Sequence, residues 1–219
     1  MAELKPHERV NDILLGPLER PLLRWLAARM PGWMTPDILT GIGVLGAAIT
    51  FVSYALSNAS GWFLWLASLG LVINWFGDSL DGTLARFRHI ERPRYGFFVD
   101  HTVDALNECL VVLGLGLTPT VRFDVACLAL IGYLLMSVLV YVRTYVDGVF
   151  KISYGRFGPT EVRLIIILLN TIMFFIAPLT FTTALGVFSL FDLLVGALAV
   201  LLVIIYVVSV IQHAQELAH

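Results

Sequence analysis

"DSLDGTLARFRHIERPRYGFFVDHTVD", Asp78–Asp104, carries four aspartates and four arginines between two apolar runs, "GWFLWLASLGLVINWFG" (61–77) before it and "ALNECLVVLGLGL" (105–117) after it. Two apolar runs that meet at a charged bend read as a helical hairpin with its turn at a membrane rim. The remaining sequence has the same character. The 219 residues are 58% hydrophobic and 14% charged, with a mean hydropathy of +0.86, which places the chain among integral membrane proteins. A net charge of −2 gives no sign of a nucleic-acid partner. Cys109 and Cys127 both lie in apolar runs and read as small buried hydrophobes rather than a disulfide.

Six apolar runs are long enough to cross a hydrocarbon core of roughly 30 Å at about 1.5 Å per residue. They run from Asp37 to Leu56, Gly61 to Phe87, Gly96 to Leu117, Val121 to Val146, Pro159 to Leu179 and Val187 to Gln212. Backbone groups in lipid must be satisfied within the segment, and the alternation of a membrane barrel is missing, so all six are expected as helices. Before them, "VNDILLGPLERPLLRWLAARM" is too charged to cross. Its Leu18, Leu22, Trp25 and Leu26 share one helical face, as an amphipathic helix lying in the membrane interface would require. Pro17 and Pro21 are expected to confine helix to the part after them. The fold expected is therefore all-α, with six transmembrane helices and an N-terminal interfacial amphipathic helix. Residues 1–35 form the interfacial segment and 36–219 the six-helix core.

Basic residues orient the spans. Thirteen of the fourteen Lys and Arg residues fall on one side of this arrangement, with Arg122 on the other. The positive-inside tendency makes that side cytoplasmic and puts both termini there.

Asp78 and Asp81 are three apart at the end of the second span, and Asp100 and Asp104 are four apart at the start of the third. Each pair shares a helix face. The pairs flank the bend, placed at "HIERPRYG" where Pro93 and Gly96 interrupt helix, at nearly equal distance, so they meet at one depth. Four carboxylates facing one another at the rim repel and are costly to desolvate unless cations neutralise them. Oxygen-only ligands suit Mg²⁺ or Mn²⁺, which in turn commonly hold phosphate oxygens. Pairing with Arg86, Arg88, Arg92 and Arg94 in a solvated rim is the plainer alternative. It leaves unexplained the small residues Gly82, Ala85 and Gly96 beside the acids, which let a bulky group approach the backbone.

At these positions the sequence resembles the CDP-alcohol phosphotransferases of phospholipid synthesis. Their signature, D-x-x-D-G-x-x-A-R, a spacer and G-x-x-x-D-x-x-x-D, is matched by Asp78, Asp81, Gly82, Ala85, Arg86, Gly96, Asp100 and Asp104. The spacer, Phe87–Tyr95, is one residue longer than usual in the family. "TPDILT", Thr35–Thr40, also looks like the segment before the family's first core helix, with Asp37 where Asn is more usual. The resemblance implies attack of a hydroxyl on the β-phosphorus of a CDP-activated alcohol, with release of CMP. It implies Asp78, Asp81, Asp100 and Asp104 as ligands of two Mg²⁺ or Mn²⁺ ions, Asp104 also as general base, and Gly82, Ala85, Arg86 and Gly96 around the CDP. A homodimer is implied as well.

Arg143, Lys151, Arg156 and Arg163 are read as a pocket for a phosphate-bearing acceptor, although Arg143 is equally spaced to pair with Asp147. The compact six-span chain and this cluster look more like the family members that use CDP-diacylglycerol as donor and a small polar alcohol as acceptor. "FVDHTVD" and "RFGPTEVR" instead resemble the choline and ethanolamine phosphotransferases, which use a soluble CDP-alcohol and diacylglycerol. Glu108, one turn beyond Asp104, reads either as a supporting group or as the partner of an arginine; His101 reads as packing. Asp192 reads as an acid favoured by a helix N-terminus. A cation-coupled transporter also uses intramembrane acids but has no need of Gly82, Ala85 and Arg86 at this spacing, and a membrane scaffold leaves the four acids idle.

Overall fold

The computed structural model describes residues 14–147, 158–176, 178–184 and 186–218. Among these the elements run α1 (Gly16–Ala27), α2 (Pro36–Leu56), α3 (Phe63–Phe87), α4 (Pro93–Leu115), α5 (Phe123–Asp147), α6 (Pro159–Phe175), a hairpin of β1 (Thr180–Thr183) and β2 (Gly186–Ser189), and α7 (Leu190–Leu217). By length and composition α2, α3, α5 and α7 suffice to cross a membrane. The protein is thus an all-α membrane protein. The other two expected spans correspond to α4, which carries Asp100, Asp104 and Glu108, and α6, which is 17 residues long.

Glycine sets the closest packing. A side chain on Gly77 of α3 would collide with the backbone of Gly43 in α2, and one on Gly46 would collide with the backbone of Asn74. The two helices therefore touch backbone to backbone, as small residues allow where there is no water to drive association. One apolar cluster joins α1 to this pair through Leu23, Ala27, Leu39, Leu80 and Leu84. A larger one, with Tyr54, Leu64, Ala126, Met173 and Phe191, fills the opposite end of the bundle. Polar groups pin α6 into place: the Tyr54 hydroxyl donates to Asn170 at 2.9 Å, and the Asn170 amide donates to Ser68 at 3.0 Å, all three side chains being buried.

Three boundaries differ from the sequence-based expectation. Helix α1 begins before both prolines: Pro17 occupies the first turn, where its missing N–H has no helical partner to lose, and Pro21 forfeits a single further bond. Helix α4 starts at Pro93, so Pro93 opens that helix and Gly96 lies in its first turn rather than breaking it. The bend is made instead by His89, whose φ of 56° puts it in the left-handed region. Its N–H bonds to Arg86 O, and the next N–H, of Ile90, bonds to Ala85 O, a Schellman closure of α3. Finally, α6 stops at Phe175, and Val187–Ser189, expected to open the last span, form a strand. "TFTT" and "GVFS" pair antiparallel, with Thr180 opposite Ser189 and Gly186 at φ 117° supplying the turn conformation.

Candidate active site

Helix α3 ends beside the start of α4, and the hairpin brings three of the four expected aspartates together. Asp78, Asp100 and Asp104 each present a carboxylate oxygen, and these atoms lie within 4.8 Å of one another. All three residues are part-buried. Asp81, one turn along α3, is turned toward α2: it accepts a hydrogen bond from Thr40 Oγ1 at 2.6 Å and one from the Gly82 N–H. It stays within electrostatic reach of Asp78 and Asp100. Thr40 closes the "TPDILT" segment, whose Thr35 caps α2 by accepting from the Ile38 N–H at 3.2 Å.

Two of the rim arginines that the plainer reading pairs with these acids, Arg88 and Arg92, are engaged elsewhere. Arg88 donates to the carbonyls of Met30, Pro31 and Met34 and holds the α1–α2 connection. Arg92 pairs with Asp37, a hydrogen bond that raises its already high pKa. Arg86 donates to Thr83 at 3.3 Å. A Cβ on Gly96 would meet nothing within 4 Å, and one on Gly82 would approach the Arg86 guanidinium. Gly96 therefore borders open space beside the acids, which suits the approach of a ligand.

Sequence reading assigned Arg163 to an acceptor pocket, and the structure places it against the aspartates. Its Nη2 donates to Asp78 Oδ2 at 2.6 Å and its Nε to Asn74 Oδ1 at 2.8 Å. The Asn74 amide in turn donates to Gly43 O at 2.9 Å, at the glycine contact between α2 and α3. Arg143 is 3.7 Å from Asp147, the helical pair its spacing suggested. Lys151 and Arg156 lie outside the described residues.

Glu19 of α1 was missed altogether. Its Oε1 accepts from Trp75 Nε1 at 2.7 Å, from Ser79 Oγ at 3.1 Å and from Thr160 Oγ1 at 2.8 Å, so it ties α1 to the two helices that carry Asp78 and Arg163. The single acid of helix α1, whose other charged residues are arginines, was the available signal.

These residues fit a hard divalent cation. The donors are oxygens alone, they converge from two helices, and without positive charge they oppose one another in a poorly hydrated place.

Residues 33–211 match the family model of CDP-alcohol phosphatidyltransferase. The chain belongs to the CDP-alcohol phosphatidyltransferase family. It is similar to cholinephosphotransferase 1 of Gallus gallus, 31% identical over 71% of this chain and 48% of that protein. It is also similar to archaetidylinositol phosphate synthase of Pyrococcus horikoshii, 36% identical over 48% of this chain and 52% of that protein. A third similarity is to phosphatidylinositol phosphate synthase of Cutibacterium acnes, 31% identical over 48% of this chain and 44% of that protein. The matched region spans about half the length of these relatives. The family is one of membrane transferases of substituted phosphate groups, and its matched region contains every aspartate of the cluster.

Proposed function

We propose that this chain transfers a substituted phosphate from a CDP-activated alcohol to an alcohol hydroxyl, releasing CMP. The observation that carries the reading is the convergence of Asp78, Asp100 and Asp104 within a family whose members are such transferases. Asp78, Asp81, Asp100 and Asp104 would hold two Mg²⁺ or Mn²⁺ ions, which would supply positive charge to offset that of the pyrophosphate. Asp104 takes the proton of the attacking hydroxyl. The hydroxyl oxygen forms its bond to the β-phosphorus, the bond from that phosphorus to the bridging oxygen breaks, and CMP leaves with the electron pair. Gly82, Ala85 and Gly96 give the cytidine nucleotide room, and Arg86 serves its phosphates. Arg163 orients Asp78 rather than the acceptor, which leaves Arg143, Lys151 and Arg156 for any acceptor phosphate.

Six spans, α2 to α7, with α1 in the interface, both termini and the site in the cytoplasm, and a homodimer complete the reading. The distribution of Lys and Arg supports the orientation, and the exposed Leu18, Leu22 and Trp25 on α1 support its place in the interface. Residues 1–35 are then the interfacial segment and 36–219 the core. We take CDP-diacylglycerol as donor and a small polar alcohol as acceptor. A soluble CDP-alcohol with diacylglycerol is the second reading, favoured by the similarity to a cholinephosphotransferase. The reverse reaction separates them. Purified protein is incubated with CMP, Mn²⁺ and a lipid extract, and the cytidine product is identified by mass. CDP-diacylglycerol is the expected product; a water-soluble CDP-alcohol with released diacylglycerol would replace the donor assignment, and no cytidine product at all would overturn the transferase.

A further inference from the structure

Helix α6 has no glycine or alanine along Pro159–Phe175, so it cannot lie backbone to backbone on α3 as α2 does. Side chains alone set its height. At the far end of the bundle the buried Tyr54, Asn170 and Ser68 do this. At the end that carries the aspartates the contacts fall on two adjacent stripes of α3. Asn74 and Asp78, four residues apart, accept from Arg163. Trp75 and Ser79, the next stripe over, donate to Glu19 of α1 at 2.7 and 3.1 Å. Glu19 also accepts from Thr160, one turn before Arg163 on α6, at 2.8 Å. The first turn of α6 is thus tied to α3 twice, directly through Arg163 and indirectly through Thr160 and Glu19.

All three bonds to Glu19 end on one oxygen, Oε1. An indole and a hydroxyl on α3 and a hydroxyl on α6 can share one atom only at a single relative height of the two helices. The long, jointed stem of an arginine reaches its partners from several heights. Arg163 therefore needs a second contact to fix where it meets Asp78, and Glu19 supplies it. A reciprocal contact holds α1 itself in place. Glu161 of α6, which is buried, accepts from the Leu15 N–H at the start of α1 at 2.8 Å and from the Gly158 N–H at 2.9 Å. The outward face of α1, with Leu18, Leu22 and Trp25 exposed, takes no part in these bonds.

We propose that Glu19 is a positioning residue for the aspartate cluster: by fixing the height of α6 on α3 it brings the Arg163 guanidinium to Asp78 and so aims the Asp78 carboxylate at Asp100 and Asp104. Helix α1 is then part of the frame of the site as well as an anchor at the membrane surface. The inference rests on the metal reading for what that carboxylate holds.

Metal uptake tests this without turnover. The full chain in lipid nanodiscs is titrated with Mn²⁺ alone, the free ion is read by electron paramagnetic resonance, and the thermal unfolding midpoint of each variant is measured beside it. Two substitutions cut the tie at different points. Glu19→Ala removes the shared oxygen; Thr160→Val, nearly the same shape, releases α6 and leaves Glu19 on α3. Each should weaken Mn²⁺ binding by about tenfold, the lower end of what losing a group behind a metal ligand costs. Glu19→Gln, which keeps an accepting oxygen at that place, should recover most of the affinity. Because Glu19 acts through Arg163, adding Glu19→Ala to Arg163→Met should weaken Mn²⁺ binding no further than Arg163→Met alone. Unchanged Mn²⁺ affinity in either folded variant, even with a lowered unfolding midpoint, would overturn the proposal, as would a double variant whose losses multiply. The Thr160→Val comparison stands even if Glu19→Ala does not fold. Failure of the metal reading would show separately, as no Mn²⁺ uptake by the unaltered protein, and would remove the assignment with it.

Discussion

Aspartates sit at both ends of this bundle, buried at one and half-buried at the other, and they are treated in opposite ways. At one end Asp192 accepts from the backbone N–H groups of Ser189 and Arg122, each at 2.7 Å. Its own N–H donates to Ser189 Oγ, which in turn donates to Thr120 O. Every group there has a partner within the chain, and the acid closes the start of α7 as a capping box. At the other end Asp78, Asp100 and Asp104 turn their oxygens toward one another, and Arg163 braces one of the three. A carboxylate completed by backbone donors is structural. Carboxylates that converge on each other describe a place for something positive, and the family to which the chain belongs agrees with that distinction.

Breaking the second kind of site should cost chemistry and little stability. Asp104→Asn is expected to lower CMP release by about 10³-fold, with the variant eluting as a folded protein in detergent. Chelation by EDTA should abolish activity in the unaltered enzyme, and Mg²⁺ or Mn²⁺ should restore it. Near-normal turnover in Asp104→Asn, or full activity after thorough chelation, would erase the contrast.

Arg163 tests what lies between the two kinds. If it positions Asp78, Arg163→Met should reduce kcat by about 10- to 100-fold with little change in the KM of the CDP-alcohol, and it should raise the Mg²⁺ concentration needed for half activity. A change confined to the acceptor's KM would return Arg163 to an acceptor pocket.

The smallest effect on turnover belongs to Asp192. Asp192→Ala strands two backbone donors and should destabilise the protein by roughly 2 kcal/mol, read as a lower midpoint of thermal unfolding in detergent. Activity per folded molecule should be unchanged. Lost activity at full stability would mean that the two ends are coupled.

The sequence made the helices and three of the four aspartate placements readable, because helix spacing and the bend are local properties. The turn of Asp81 toward Thr40 was not readable, since it depends on how α2 lies against α3 across 41 residues. Nor was Arg163, 85 residues from Asp78, because an arginine beside a cytoplasmic connection fits a phosphate pocket equally well. Of the hairpin Thr180–Ser189, Val187–Ser189 was read into the last span and Thr180–Thr183 as part of a turn, as short runs rich in Phe, Thr and Val fit strand or helix. Gly43, Gly46, Gly70 and Gly77 were in plain view, but their meaning needed the partner helix.

That glycine seam bears on how firmly the aspartates are held. With backbone against backbone at Gly43–Gly77 and Gly46–Asn74, α2 and α3 leave no slack into which a side chain can rotate, so the pair travels as one plank. Asp78, Asp81 and Thr40 are fixed to that plank, while Asp100 and Asp104 ride on α4. Helix α4 is seated on the same pair at Gly114, where a side chain would collide with the backbone of Phe51, and it meets α5 through hydroxyl contacts of 3.4–3.5 Å. The aspartates are thus held in register by backbone contacts between neighbouring helices, and the geometry of their oxygens is set by the glycines behind them.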